Sequence, residues 1–445
     1  MNLNSMNETP MSSRMAIGLF GKRNAGKSSL INALTDQSVA VISDVAGTTT
    51  DPVYKTMELL PIGPVVFIDT AGLDDTGELG LLRIEKTYEV LRKCHFAIVV
   101  ADIETGITDF EEEFIDQLIK RKIPSVFVLN KADKGCPAPE EIEALKKSLK
   151  IPLSFTSVYN GTGIKAVKQM IIDHANYEDV EPALVGDLIE SGDMVVLVTP
   201  IDKSAPKGRL ILPQQQTIRD ILEKDAVAMI TKEHELKHTL ENLSRPPALV
   251  ITDSQAFLKV SADTPADIPL TSFSILFARQ KTDLAEMVKG IKRIEQLAPG
   301  DKVLIVEGCT HHRQADDIGK VKIPRWIRQI AGCDLEFHWA SGAHYPKDIG
   351  EYAVIVHCGG CMLNRREMQY RVHTARQKGV YITNYGMLIA YVQGILSRAL
   401  EPFRQPNWLW KKITLIKPID TLMLFQGVAP FWLKTTAIAA AGIGL

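Results

Sequence analysis

The sequence predicts an α/β protein made of three successive sheet-and-helix units. Three observations carry that prediction. Short apolar, β-branched runs such as "AIGLFG", "VVFID", "SVFVLN", "MVVLV", "KVLIVE" and "AVIVH" each end at a turn and precede a helical pattern. A glycine-rich loop closes the first of these runs. Cysteines gather at the ends of the last two, where open parallel sheets hold their ligands.

The composition sets the frame. A chain of 445 residues, 45% apolar and 23% charged, has room for two to four packed domains. A formal net charge of −2 points to neither a nucleic-acid binder nor a polyanionic tail. Six cysteines are too few for a secreted disulfide framework, and Cys309, Cys333, Cys358 and Cys361 cluster late, which favours metal or redox chemistry. The opening "MNLNSMNETPMSSRM" has no apolar run, so no signal peptide and a cytoplasmic, reducing compartment are expected.

The first unit reads as strand, loop and helix. Gly21, Gly26, Lys27 and Ser28 match G-x-x-x-x-G-K-[ST], a loop whose backbone N–H groups cradle phosphates at a helix N-terminus. Asn24, Ala25 and Ser29 complete the phosphate-contacting stretch. Lys27 is expected to reach the β- and γ-phosphates and Ser28 to ligate magnesium. The alternative is an ordinary glycine-rich strand–helix turn, and the partners argue against it. "VVFIDTAGL" puts Asp69 at a strand end, where it can hold magnesium through water, and lets Gly72 offer its N–H to the γ-phosphate. Lys27, Asp69 and Gly72 are the expected catalytic set. Asn130, Lys131 and Asp133 in "NKAD" resemble the guanine-specificity motif of translation-factor-type GTPases. There the aspartate accepts two hydrogen bonds that adenine cannot supply. Ser157 in "FTSVYNG" is a further contact to the base. Together these make the first unit, residues 1–178, a P-loop GTPase domain with GTP and Mg2+ as ligands.

Two details refine the class. Leu73 stands where a Ras-type glutamine would orient water, so hydrolysis must be organised differently. Asn24 and "VAGTTTDP" resemble the potassium-stimulated GTPases of the tRNA-modification and ribosome-assembly type. That resemblance implies K+ at Asn24 and closure of Thr48 or Thr49 onto magnesium, with Thr49 taken as the ligand. Glu78 is a candidate for positioning water, against a plain solvated acidic loop.

"EDVEPAL" marks the next boundary. Strands and helices alternate from "DMVVLVTPI" to "PPALVITDSQAFLKV", a small α/β unit over 179–265 without a catalytic constellation, read as a spacer or dimerisation domain. The glycine of "APKGRLILP" marks an anion-binding turn or a plain loop. A third α/β unit is expected over 266–403, starting at "ADIPLTSFSILFARQK". Cys309 and His311 follow its first strand, and His357, Cys358 and Cys361 its second. If those strands are neighbours, three thiolates converge, with Gly359 and Gly360 letting the backbone wrap the ligand. Inert buried cysteines are the bland alternative. Cys333 is read as core, and His312, His338, His344 and His373 as surface or structural. From the residues alone, structural zinc and a cluster with one open iron position are equal readings.

The whole pattern resembles one family. A potassium-type GTPase followed by Cys-x-His, a long gap and His-Cys-x-x-Cys is similar to the FeFe-hydrogenase maturation GTPases (HydF). Here Cys309, His311, His357, Cys358 and Cys361 meet that pattern, and the resemblance runs from about residue 14 to 403. It implies a G domain, a dimerisation domain and a domain holding a 4Fe–4S cluster on Cys309, Cys358 and Cys361, with His311 or His357 as candidate fourth ligand. It further implies a transient diiron precursor, two radical-SAM maturases and apo FeFe-hydrogenase as partners, and a homodimer, with no nucleic acid and no stable membrane insertion.

Residues 404–445 depart from the family. Their apolar runs are broken by Gly427, Pro430 and Lys434 and fall short of about 18 continuous residues, so they are read as an atypical extension without function, with a packed extra element, an interfacial anchor and an out-of-frame artefact as the alternatives. Two rivals belong to other classes. One is a tRNA- or ribosome-directed GTPase with a structural Cys/His zinc site, which predicts a basic face. The other is a redox-sensing GTPase that uses Cys358 and Cys361 as a dithiol and does not need Cys309.

Overall fold

The first apolar run becomes β1 (Met15–Phe20), buried at every residue, as a central parallel strand covered on both faces must be. The computed structural model describes residues 9–36, 52–72, 77–135, 137–175, 182–200, 210–308, 317–342, 345–346 and 348–403. By their contacts they form two compact units. The first comprises Met1–Pro182 with Met362–Tyr370, the second Ala183–Cys361 with Arg371–Leu445.

In the first unit the chain continues as α1 (Lys27–Thr35), β2 (Val53–Leu59), β3 (Gly63–Asp69), α2 (Gly77–Lys93), β4 (Phe96–Asp102) and α3 (Asp109–Lys120). It then runs through β5 (Ser125–Asn130), α4 (Pro139–Ser148), β6 (Leu153–Phe155) and α5 (Ile164–His174). The sheet order is β2-β3-β1-β4-β5-β6. β2 runs antiparallel to β3, and the remaining pairs are parallel. Period-two alternation sends Ile17, Leu19, Phe67 and Ile98 to one face, where Leu30, Leu34, Val167 and Ile171 cover them. Phe20, Val66, Val99 and Phe127 pack on the other face beneath Leu91, Phe114 and Leu118. At the start of α3 the Glu111 carboxylate reaches back to accept the Thr108 N–H at 3.0 Å, satisfying an otherwise unpaired donor, and also accepts the Thr108 hydroxyl.

The second unit holds two all-parallel four-stranded sheets. The first is formed by β7 (Met194–Val198), α6 (Leu212–Glu223), β8 (Val227–Thr231), α7 (Leu236–Glu241), β9 (Leu249–Thr252), α8 (Phe257–Asp263), β10 (Leu270–Ser272) and α9 (Phe273–Lys281). Its order is β10-β9-β7-β8. The second contains α10 (Leu284–Ile294), β11 (Lys302–Glu307), α11 (Ile323–Ala331), β12 (Glu336–Ser341), β13 (Val354–His357), α12 (Arg365–Gln377), β14 (Tyr381–Asn384), α13 (Tyr385–Val392) and α14 (Leu396–Ala399). Its order is β12-β11-β13-β14.

The boundary expected at 265–266 is corrected here. "LTS" of the run read as the start of the third unit is β10, which pairs with β9 and closes the earlier sheet. α9 then caps itself on Ser272, whose Oγ accepts the Ile275 N–H. Its residues Phe273, Leu276 and Phe277 join the same core as Val195, Leu197 and Ile251. Among the described residues no helix is long and apolar enough to cross a membrane.

Candidate functional site

The phosphate loop lies between β1 and α1. Gly26, the residue before α1, has φ +91°, and a Cβ there would come within 2.2 Å of Asn130 Nδ2. Only glycine meets both demands. Lys27 is buried, and its Nζ donates to the Gly21 and Lys22 carbonyls at 2.9 and 2.8 Å. Those bonds fold the ammonium over the loop that the phosphates would fill. Asn24 sits exposed in the left-handed region with φ 63°, a conformation that asparagine tolerates. Ser29 lies exposed on the first turn of α1.

Asn130 ties the motifs together. Its Nδ2 donates to the Ala25 carbonyl at 3.1 Å, and its Oδ1 accepts the Thr156 hydroxyl at 3.0 Å. Ser28 donates its hydroxyl to Asp69 Oδ2. The other carboxylate oxygen, Oδ1, is buried without a hydrogen-bond partner. A buried anionic oxygen beside a serine hydroxyl fits a magnesium ion or its water. Burial pushes the Asp69 carboxyl up from its ordinary value, against the Ser28 hydrogen bond and the nearby Lys27 charge. Gly72 is buried two residues beyond the threonine that follows Asp69. At the base end, the buried Ser157 donates to Asp133 Oδ1, which leaves the exposed carboxylate aimed rather than free. Lys131 pairs with Asp102 Oδ2 at 2.6 Å.

The structure therefore joins the loop from Gly21 through Asn24, Ala25, Gly26, Lys27, Ser28 and Ser29 to Asp69 and to the base-side Asn130, and links Ser157 to Asp133 beside Lys131; Gly72 lies three residues beyond Asp69. Thr48, Thr49 and Leu73, and the side chain of Glu78, lie outside what is described. Sequence reasoning missed Thr156 and Asp102. The available signal was positional: Asp102 ends a strand flanking β5, and Thr156 follows another.

The cysteine site lies in the second unit. β11 and β13 are parallel neighbours, with Val306 opposite His357, so the strand ends expected to converge do so. Cys358 N–H bonds the Val306 carbonyl at 2.8 Å. Its Sγ accepts N–H groups from Gly308 at 3.0 Å and Gly360 at 3.4 Å. Cys361 is half-buried and packs against the core of the preceding sheet. Cys309 and His311 lie outside the described residues, as do His312, His344 and the glycine of "APKGRLILP". Among the described residues no three His, Cys, Asp or Glu side chains gather as a metal site. Cys333 is half-buried rather than core.

His357 corrects an expectation. It is fully buried, its Nδ1–H donates to the Cys358 carbonyl at 2.8 Å, and its Nε2 accepts from Arg371 at 3.0 Å. One neutral tautomer satisfies both bonds. Burial, aided by the Arg371 guanidinium, lowers its pKa to about 3. With both nitrogens engaged, His357 braces the loop in this arrangement and offers no lone pair to a metal. Arg371 is itself buried, donating to the Gly342 carbonyl at 3.1 Å and stacking over Tyr345.

Burial pushes the Cys358 thiol up to about 11, with the Gly308 and Gly360 N–H groups opposing. Two N–H groups aimed at sulfur suit a metal-bound thiolate, which the metal itself deprotonates. Among the described residues the donors are Cys358 and Cys361, soft thiol ligands of the kind that zinc and iron–sulfur clusters take.

Three family models match in succession. One described as "50S ribosome-binding GTPase" matches residues 16–131, the hydrogen maturase F dimerization domain matches 184–282, and the hydrogen maturase F tetramerization domain matches 285–402. The chain belongs to the hydrogen maturase F family. Its architecture is the family's: a P-loop GTPase domain followed by two α/β domains named for oligomer formation. Curated relatives match through the GTPase domain. GTPase Der of Wolinella succinogenes is 35% identical over 36% of this chain and 36% of its own length. The tRNA modification GTPase MnmE of Helicobacter pylori is 40% identical over 31% of this chain and 30% of its own. The chain thus spans about a third of the length of the curated relatives it matches. Among solved structures, the G domain of T. maritima FeoB aligns at 23% identity over 37% of this chain and 99% of that one, with a TM-score of 0.29. Era in complex with MgGDPNP and ribosomal RNA aligns at 18% identity over 49% and 93%, with a TM-score of 0.32.

Proposed function

We propose that this chain is a GTP-binding and GTP-hydrolysing maturation factor that carries a 4Fe–4S cluster and serves as carrier for the diiron precursor of the FeFe-hydrogenase active site. The observation that supports the cluster reading best is the Cys358 sulfur, received by two backbone N–H groups at the joined ends of β11 and β13. In the sequence Cys309 follows Gly308 directly and Cys361 lies three residues after Cys358, the spacing expected for three cysteine ligands. A cluster held by three cysteines keeps one iron open to an exchangeable ligand, which suits pick-up and release of a precursor. The radical-SAM maturases and apo-hydrogenase are its partners, and the working form is at least a homodimer in the cytoplasm.

In the GTPase domain, Lys27 would place positive charge on the β- and γ-phosphates, with Ser28 as a magnesium ligand and Asp69 holding the ion through water. The Gly72 N–H meets the γ-phosphate. Asn24 would hold potassium and one of Thr48 and Thr49 magnesium, and the potassium charge would stand in for an arginine finger. Asp133, held by Ser157, reads guanine. Nucleotide state acts as a switch on partner contacts, gating exchange rather than supplying the energy of bond making.

The deciding experiment is iron and acid-labile sulfide analysis of anaerobically prepared protein, with EPR after dithionite reduction. About four irons and four sulfides per chain, with a signal lost in Cys309→Ala, is the expected result. One zinc per chain and no sulfide would overturn the reading and make the site structural.

A further inference from the structure

Lys281 is the last residue of α9, and its side chain is 1% exposed. In "FARQKTD" it looks like a solvated basic helix end, the usual place for a lysine that complements the helix dipole. The fold does something else with it. Its Nζ lies 5.0 Å from the centre of the Phe277 ring and donates to the Gly360 carbonyl at 3.0 Å. Gly360 is the residue before Cys361: its carbonyl lies in the peptide that leads into Cys361, and its N–H, in the preceding peptide, points at Cys358 Sγ. The same helix meets the loop at its other end, where a Cβ on Gly359 would lie 3.3 Å from Ser274 Oγ. Asn384, at the end of β14, fixes that end by donating to the Ser274 carbonyl at 2.9 Å. A lysine is rarely this buried, and its ammonium is stable out of water only because it is hydrogen-bonded there.

We propose that Lys281 is a positioning residue of the cysteine site. Its ammonium grips the Gly360 carbonyl, which belongs to the peptide joining Gly360 to Cys361, and so fixes the backbone that carries Cys361 and sets a positive charge beneath the loop that carries the thiolates. The group crosses between domains within the second unit, because α9 belongs to the dimerization-domain match and Gly360 to the tetramerization-domain match. A positive charge at this place favours the more negative, reduced state of an anionic cluster and raises its potential. The proposal rests on the cluster reading above.

The test uses the full chain reconstituted anaerobically with iron and sulfide, as wild type, Lys281→Met and Lys281→Arg. Three quantities are read: the cluster's midpoint potential by EPR-monitored titration, the rate of iron loss to a chelator, and the thermal melting curve. Lys281→Met is expected to move the potential to more negative values and to speed iron loss about tenfold, the usual scale for an outer-shell partner. Lys281→Arg, which keeps the charge, is expected to return the potential towards wild type. Should Lys281→Met fail to fold, Lys281→Gln keeps a donor without charge and must show the same negative shift. An unchanged potential and iron-loss rate, with only a lowered melting temperature, overturns the proposal and makes Lys281 structural. If the wild type itself takes up no cluster, the underlying reading fails first, and that outcome is separable from failure of the variant alone.

Discussion

At the scale of single residues, the base site turns on one hydroxyl. Asp133 is exposed, and an exposed carboxylate samples several orientations unless something holds it. Ser157 does so from a fully buried position, and its own N–H is fixed on the Thr162 carbonyl at 3.0 Å. Ser157→Ala removes one charge-assisted hydrogen bond, worth roughly 1.5 kcal/mol, but leaves the carboxylate able to bind guanine. GTP affinity is expected to fall about tenfold, with the melting temperature nearly unchanged. Displacement of a fluorescent guanine nucleotide measures it. An unaltered affinity would mean that water orients Asp133 equally well.

At the scale of elements, α10 and β14 approach closely at one glycine. A Cβ on Gly290 would lie 2.3 Å from the Ile382 carbonyl oxygen and 2.8 Å from Thr383 Cβ. Alanine is the better helix former by about 1 kcal/mol, so propensity alone predicts that Gly290→Ala stabilises the protein. The clash is with backbone, which cannot rotate away, and overpacking of that kind costs up to about 3 kcal/mol. The clash wins by about 2 kcal/mol, and a thermal melt should show a lower transition for Gly290→Ala. A higher one would mean that helix and strand lie further apart. Legibility in the sequence follows the same division. The phosphate loop, Asp69 and the Asn130–Asp133 motif could be read directly because their chemistry is local to strand–loop–helix segments. The meeting of β11 with β13 was readable as a condition, and the pairing meets it. The close of the middle sheet was not, because β10 is three residues long and its helix carries a new apolar pattern. Nor could the sequence show that His357 is braced by Arg371, fourteen positions later, or that Lys281 turns inward. Both depend on tertiary partners that no local spacing encodes.

At the scale of the whole molecule, the two chemistries fall in different compact units. Every described nucleotide-site residue belongs to Met1–Pro182, whereas His357, Cys358, Gly360 and Cys361 belong to the second unit with their braces Lys281 and Arg371. Each unit has its own buried core. If GTP gates exchange rather than cluster stability, the two sites can be emptied separately. Lys27→Ala is the sharpest way to empty the first. It removes the ammonium that bonds the Gly21 and Lys22 carbonyls and with it the charge facing the phosphates. The contacts that the Lys27 ammonium would make to the β- and γ-phosphates, about 1.5–3 kcal/mol each, set an expected loss of about a hundredfold or more in nucleotide affinity. Iron and sulfide per chain should stay at the wild-type level, and the reduced-cluster EPR signal should keep its shape. Transfer of precursor to apo-hydrogenase should fall, because the switch no longer moves. A Lys27→Ala protein that also loses iron would show that nucleotide supports the cluster itself, and the gating role would give way to one in assembly.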